Sequence, residues 1–97
     1  MYEHSYAIQK FWEATHSLIT SNRMRTRLGF ALFLLSQLQS NQLPEKLRPR
    51  FEGLIKQLRD RRVPFPHKMC EVNMRAPLSD KIAKEIFDLF VALKGGI

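Results

Sequence analysis

The run RLGFALFLLSQL, Arg27 to Leu38, limits what this chain can become more than any other stretch. It is the densest apolar segment in 97 residues, yet shorter than the ~20 apolar residues a bilayer needs. In water such a run is stable as a helix buried over much of its circumference. At about 100° per residue, Met24, Leu28, Phe30, Ala31, Leu32, Leu34, Leu35 and Leu38 share one arc and are expected to be core. The other arc holds Arg25, Thr26, Gly29, Ser36, Gln37 and Ser40, with Phe33 in its middle. An arc this wide predicts a central helix, Arg23 to Ser40, with neighbours on several sides. Phe33 must then be covered by another segment of the chain or by a second molecule.

The flanking segments read as shorter amphipathic pieces. Ile8, Phe11, Trp12, Thr15, Leu18 and Ile19 recur at helical spacing and predict a first helix from Glu3 to Thr20. Ser21 or Asn22 then offers a side-chain oxygen to cap the central helix. Pro44 suits a short turn running to Leu47, because its fixed φ fits the start of a helical segment. Pro49 would cost about 3 kcal/mol inside a helix, so the third helix is expected to begin near it and reach Arg61, burying Leu47, Phe51, Leu54, Ile55 and Leu58. Gly53 weakens that helix unless close packing requires it. Val63 to Pro77 has three prolines and no helical period, but it is too apolar for a tether. It is expected either to cross the other helices as a strap or to form part of a contact surface. Ser79 as N-cap and Asp80 beside the helix dipole begin a last helix to Lys94, with Ile82, Ile86, Leu89, Phe90 and Leu93 inward and Ala83 and Phe87 widening the stripe.

The expected fold is therefore all-α: one domain over residues 1–97, a compact bundle of four main helices with a long proline-containing strap before the last. One cysteine, Cys70, excludes an intramolecular disulfide and fits a reducing compartment, so the expected address is cytoplasmic. The N-terminal MYEHSYAIQKFWEA has charges spread through its apolar residues, unlike a secretory leader. Neither export nor membrane insertion is expected.

FWEA in the first helix, LPEKLRPRFEGLIKQL and LSDKIAKEIFDL together resemble small, uncharacterised all-helical bacterial proteins of about this length. The resemblance implies a helical, intracellular, bacterial protein and brings no activity, cofactor or catalytic residue with it. The proline-rich stretch from Val63 to Val72 departs from it.

Chemistry-bearing constellations are sparse. His67 and Cys70 with Glu71 beside them make half a metal site, to which distant His4 or His16 would have to be added, whereas structural zinc takes four well-spaced ligands. A Cys70 nucleophile served by His67 has no group to orient the base. No Walker loop, GxGxxG or paired-carboxylate signature is present. We therefore expect neither catalysis nor a metal or other cofactor.

Charge and the second face of the central helix carry the two functional expectations. Sixteen basic residues against nine acids give a net charge of +7, which favours anionic partners such as an acidic protein or nucleic acid. Arg23, Arg25 and Arg27 open the central helix, where they are expected to pair with Glu3, Glu13 or Glu52, to extend into water, or to bind an anion or phosphate. Arg59, Arg61, Arg62, Lys68 and Arg75 surround the start of the strap, with Phe65 among them. These eight cations are the candidate anion or nucleic-acid contacts. Gly29, Phe33, Ser36 and Ser40, spaced four, three and four apart, would form one helical row able to seat a second copy of the chain. A non-enzymatic interaction module that forms a homodimer is the first expectation, and a nucleic-acid binder is the alternative.

Overall fold

The computed structural model describes residues 4–19, 23–63 and 71–95. They form α1 (Ser5–Ser17), α2 (Met24–Leu35), α3 (Arg48–Asp60) and α4 (Leu78–Gly95), with two 3-10 turns, Ser40–Gln42 and Glu45–Leu47, before α3. Two short strands, β1 (Arg62–Val63) and β2 (Glu71–Val72), pair antiparallel with Arg62 opposite Val72 and Val63 opposite Glu71. The Cα radius of gyration, 12.8 Å, is that of a compact chain of this length. None of the described helices is long and apolar enough to cross a membrane.

α3 follows its sequence pattern closely. Leu47, Phe51, Leu54, Ile55 and Leu58 are all buried. The chain enters through the turn after Pro44, and Pro49 occupies the first helical turn, where its missing N–H costs nothing. A Cβ built on Gly53 meets nothing within 4 Å, so no close packing offsets the helix propensity this residue forgoes.

α1 and α2 keep their expected places but turn different faces inward. In α1 the buried residues are Ala7, Phe11 and Ala14, while Trp12 is 55% and Ile19 77% exposed. Small alanines allow α2 and α4, which both flank α1, to approach closely. In α2, Leu28, Ala31, Leu32 and Leu35 are core as expected, but Gly29 is also buried, and Phe30 lies outside, 38% exposed. The reason is β2, which packs against α2 and brings Glu71 to 3.7 Å from Arg25, one turn before Gly29.

α2 also ends at Leu35, five residues short of expectation. Ser36 Oγ donates to the Phe33 carbonyl at 3.0 Å, and the amide of Leu38 bonds back three residues to Leu35 at 3.0 Å, tightening the last turn. Gln39 and Gln42 then bond each other reciprocally across the following turn, with the Gln39 amide 2.7 Å from the Gln42 side-chain oxygen. Leu38 and Leu43 are buried from these turns and not from a helix.

α4 begins one residue earlier than expected, so Ser79 is a buried residue of the first turn and not the cap residue, its amide bonded to the Arg75 carbonyl at 3.0 Å. The Ala76–Pro77 peptide before it is cis. Ile82, Ile86, Leu89 and Leu93 face inward, whereas Phe87 stands 50% exposed. The strand pair corrects the purely helical expectation. Val72 and Met74 are buried, and the Asn73 amide bonds to the Arg61 carbonyl at 2.8 Å, so this part of the proline-containing stretch joins the core. The expected cap Ser21 or Asn22 and the middle of the strap, Phe65 to Met69, lie outside the described residues.

Candidate interaction surface

A helix apolar on nearly every side is stable when every side is covered. α2 is such a helix, and one of its sides is open: Phe33 is 60% and Phe30 38% exposed. Of the four residues expected to form a row, Phe33 and Ser36 remain together at the surface. Gly29 is buried, and Ser40 belongs to the 3-10 turn after α2, so the row is broken at both ends.

The structure replaces that row with a cleft. Between the end of α2 and α3 lies an opening of about 340 Å³ floored by Leu35, Leu38, Phe51 and Ile55. Ser36 and Ser40 line its α2 side, and Glu52, Lys56, Arg59 and Asp60 its α3 side. Ser40 Oγ is buried there without a hydrogen-bond partner among the described residues. Lys56 and Asp60 pair with each other at 2.8 Å, whereas Glu52 and Arg59 enter no ion pair among the described residues. The sequence signal for this cleft is Leu38, an apolar residue among polar ones after Ser36.

Where α1 meets α4, Ile8 and Trp12 lie beside Phe90 and Lys94, with Lys94 Nζ 5.6 Å from the Phe90 ring centre. Trp12 and Phe87, expected inside α1 and α4, are each about half exposed.

The arginines separate into engaged and free groups. Arg27 Nη1 donates to the Leu18 carbonyl at 2.8 Å, and its Nε is buried, so it closes the C-terminal end of α1 and has little left for an outside anion. Arg25 is held by Glu71 and not by Glu13, which pairs with Lys10, nor by Glu52. Arg23, Arg59, Arg61, Arg62 and Arg75 are exposed, and Lys68 lies outside the described residues. In the strand pair Arg62 stands across from Val72, on the face opposite to Glu71, which holds Arg25. Arg50 bonds both Glu85 oxygens, at 3.0 and 2.9 Å, tying α3 to α4. That hydrogen bond raises the Arg50 guanidinium above its ordinary value. Its contribution to stability is fully present below the unfolded arginine value and is lost only as pH rises past it, so it is constant through the neutral range.

The half metal site is not assembled by the described groups. His67 and Cys70 lie outside them, Glu71 faces Arg25, His4 Nδ1 contacts the Gln42 carbonyl at 3.0 Å, and His16 meets the Trp12 ring edge-on. Among the described residues no three His, Cys, Asp or Glu side chains gather as metal ligands would. No protein-family model, curated protein or solved structure matches the chain.

Proposed function

We propose that this protein is a non-catalytic interaction module that pairs with a second copy of itself through the outer side of α2. The observation carrying this reading is the 60% exposure of Phe33 on a helix whose other sides are covered. A Phe left in water forgoes about 1.5 to 3 kcal/mol of burial, and a two-fold contact recovers that at two copies of one surface. The finer architecture belongs to the same proposal: a four-helix bundle crossed by residues 63–77 as a strap, supported by the burial of Val72 and Met74. A single cysteine supports a reducing, cytoplasmic setting.

Sedimentation equilibrium and circular dichroism test it together. The wild type is expected to be dimeric at ~100 μM, and Phe33→Glu, placed where the side chain is already in water, to remain helical while dissociating. A monomeric wild type at that concentration, or a Phe33→Glu protein that still pairs, overturns the reading.

A nucleic-acid-binding alternative is favoured by one observation, the exposure of Arg23, Arg59, Arg61, Arg62 and Arg75, none of which enters an ion pair among the described residues. Its contacts would be to phosphates, so affinity for mixed RNA and DNA should fall linearly with the logarithm of salt. Replacing Arg59, Arg61 and Arg62 by Ser should weaken binding uniformly across sequences and flatten that slope. Absence of binding by the wild type at ~50 mM salt removes this alternative, because counterion release is then generous.

A further inference from the structure

We infer that the hollow between the start of α1, the 3-10 turn Ser40–Gln42 and the start of α3 is an anion site, which takes the phosphate group of a small phosphate ester. None of its residues belongs to α2, so the inference stands apart from the self-association reading.

The hollow, of about 250 Å³, is lined by His4, Tyr6, Ala7, Asn41, Gln42 and Arg48. Two hydrogen bonds hold its polar walls in place. His4 Nδ1 meets the Gln42 carbonyl at 3.0 Å, and because a carbonyl only accepts, Nδ1 carries the hydrogen and Nε2 is left over. Arg48 Nε donates to the Leu43 carbonyl at 3.0 Å, which leaves the N–H groups on Nη1 and Nη2 without a partner among the described residues. Gln42 is held twice, at its carbonyl by His4 and at its side-chain oxygen by the Gln39 amide, 2.7 Å away. A guanidinium already oriented in this way loses little freedom when an anion arrives.

Charge gives the ligand its sign. Among the described residues no carboxylate lines the hollow, and Asp and Glu are absent from positions 14 to 44 of the sequence. Glu45, one turn before Arg48, neither pairs with it nor belongs to the lining. Arg50, by contrast, is taken up by Glu85. The half-buried Arg48 is the cation left for an outside oxyanion, to which it can present two parallel N–H groups.

The donors select the shape. A carboxylate has two oxygens in one plane, and the Arg48 fork alone serves both. Here Asn41 stands in the turn, His4 before α1 and Tyr6 within α1, so polar groups come from three segments of chain, as suits a tetrahedral group with three free oxygens. His4 Nε2 accepts the hydrogen of a singly protonated phosphate, or donates to the dianion once the imidazole is charged. The hollow is larger than phosphate alone fills, and Ala7 with the Tyr6 ring leaves space for a small organic group.

Titration with inorganic phosphate, followed through the amide resonances of the protein, tests this site. A dissociation constant of about 1 mM is expected, with the Asn41 and Gln42 amides shifting. Arg48→Gln should weaken binding about tenfold or more. Because Arg48 also supports the Leu43 carbonyl, Asn41→Asp is the second variant. Asn41 is exposed, and its side chain bonds to none of the described residues, so the new carboxylate should weaken phosphate about tenfold by like charge while circular dichroism stays unchanged. Arg61→Gln, just past the far end of α3, controls for the net charge of +7 and should alter affinity less than about twofold. Acetate is expected to bind about tenfold more weakly than phosphate. The inference is overturned by any one of four results: no saturable shift below about 10 mM phosphate, an Arg61→Gln loss equal to that of Arg48→Gln, an Asn41→Asp affinity like the wild type, or acetate binding as tightly as phosphate.

Discussion

Phe11→Ala is expected to lower the unfolding free energy by about 3 to 5 kcal/mol, a large part of the 5 to 15 kcal/mol that a domain of this size commands. Phe11 is fully buried at the centre of α1, and its ring meets Phe51 of α3 edge-on with centroids 6.0 Å apart. Its loss removes both the transferred apolar area and the edge-to-face contact, and it leaves a cavity between two helices that have no other aromatic pair to hold them. Urea unfolding followed by circular dichroism measures the effect. The adjacent Trp12→Ala serves as the internal standard: although Trp12 is the larger side chain, it is 55% exposed, so its change should fall well below that of Phe11. Equal losses at the two positions would mean that α1 presents a different face to the core.

Val72→Asp is expected to cost about 3 kcal/mol or more and to bring the protein close to unfolding at room temperature. Val72 is completely buried in β2, and a carboxylate there must either lose its hydration or be neutralised by a proton, both at a free-energy cost. Its neighbour Glu71 points to the other side of the strand, where it meets Arg25 at 3.7 Å with the arginine 45% exposed. Glu71→Gln should accordingly change stability by less than about 1 kcal/mol, as screened surface pairs do. The contrast between adjacent residues tests whether the strand pair is part of the core. A Val72→Asp protein with a wild-type urea midpoint would show that it is not.

The four helices were legible because their local signals agree with one another. In α3 the apolar residues keep a single stripe, Pro44 and Pro49 fix where the chain can turn and where a helix can start, and all five expected core residues are buried. The wheel of α2 was less informative for a physical reason: a helix apolar on almost every side carries no directional signal, so burial of Gly29 and exposure of Phe30 depend on which neighbours arrive. In α1 the large residues Trp12 and Ile19 outweighed Ala7 and Ala14 in the pattern, although close packing of two neighbours favours the small ones. Strands of two residues have no period to detect, and β1 and β2 accordingly leave no trace in the pattern of Val63 to Pro77.

By itself the sequence determined that this chain is helical, where α3 begins, and that Phe33 would need an explanation, since these follow from residues a few positions apart. Only the tertiary structure decided the rest. Arg27 is withdrawn from the basic surface because the end of α1 comes to lie against it, and Arg25 meets Glu71 across 46 positions of chain because β2 folds back onto α2. The cleft between the end of α2 and α3 exists because α2 stops at Leu35 and lets Leu38 turn towards Phe51 and Ile55. Each is a meeting of segments distant in sequence, selected by packing and closure of the whole chain, and no local periodicity encodes it.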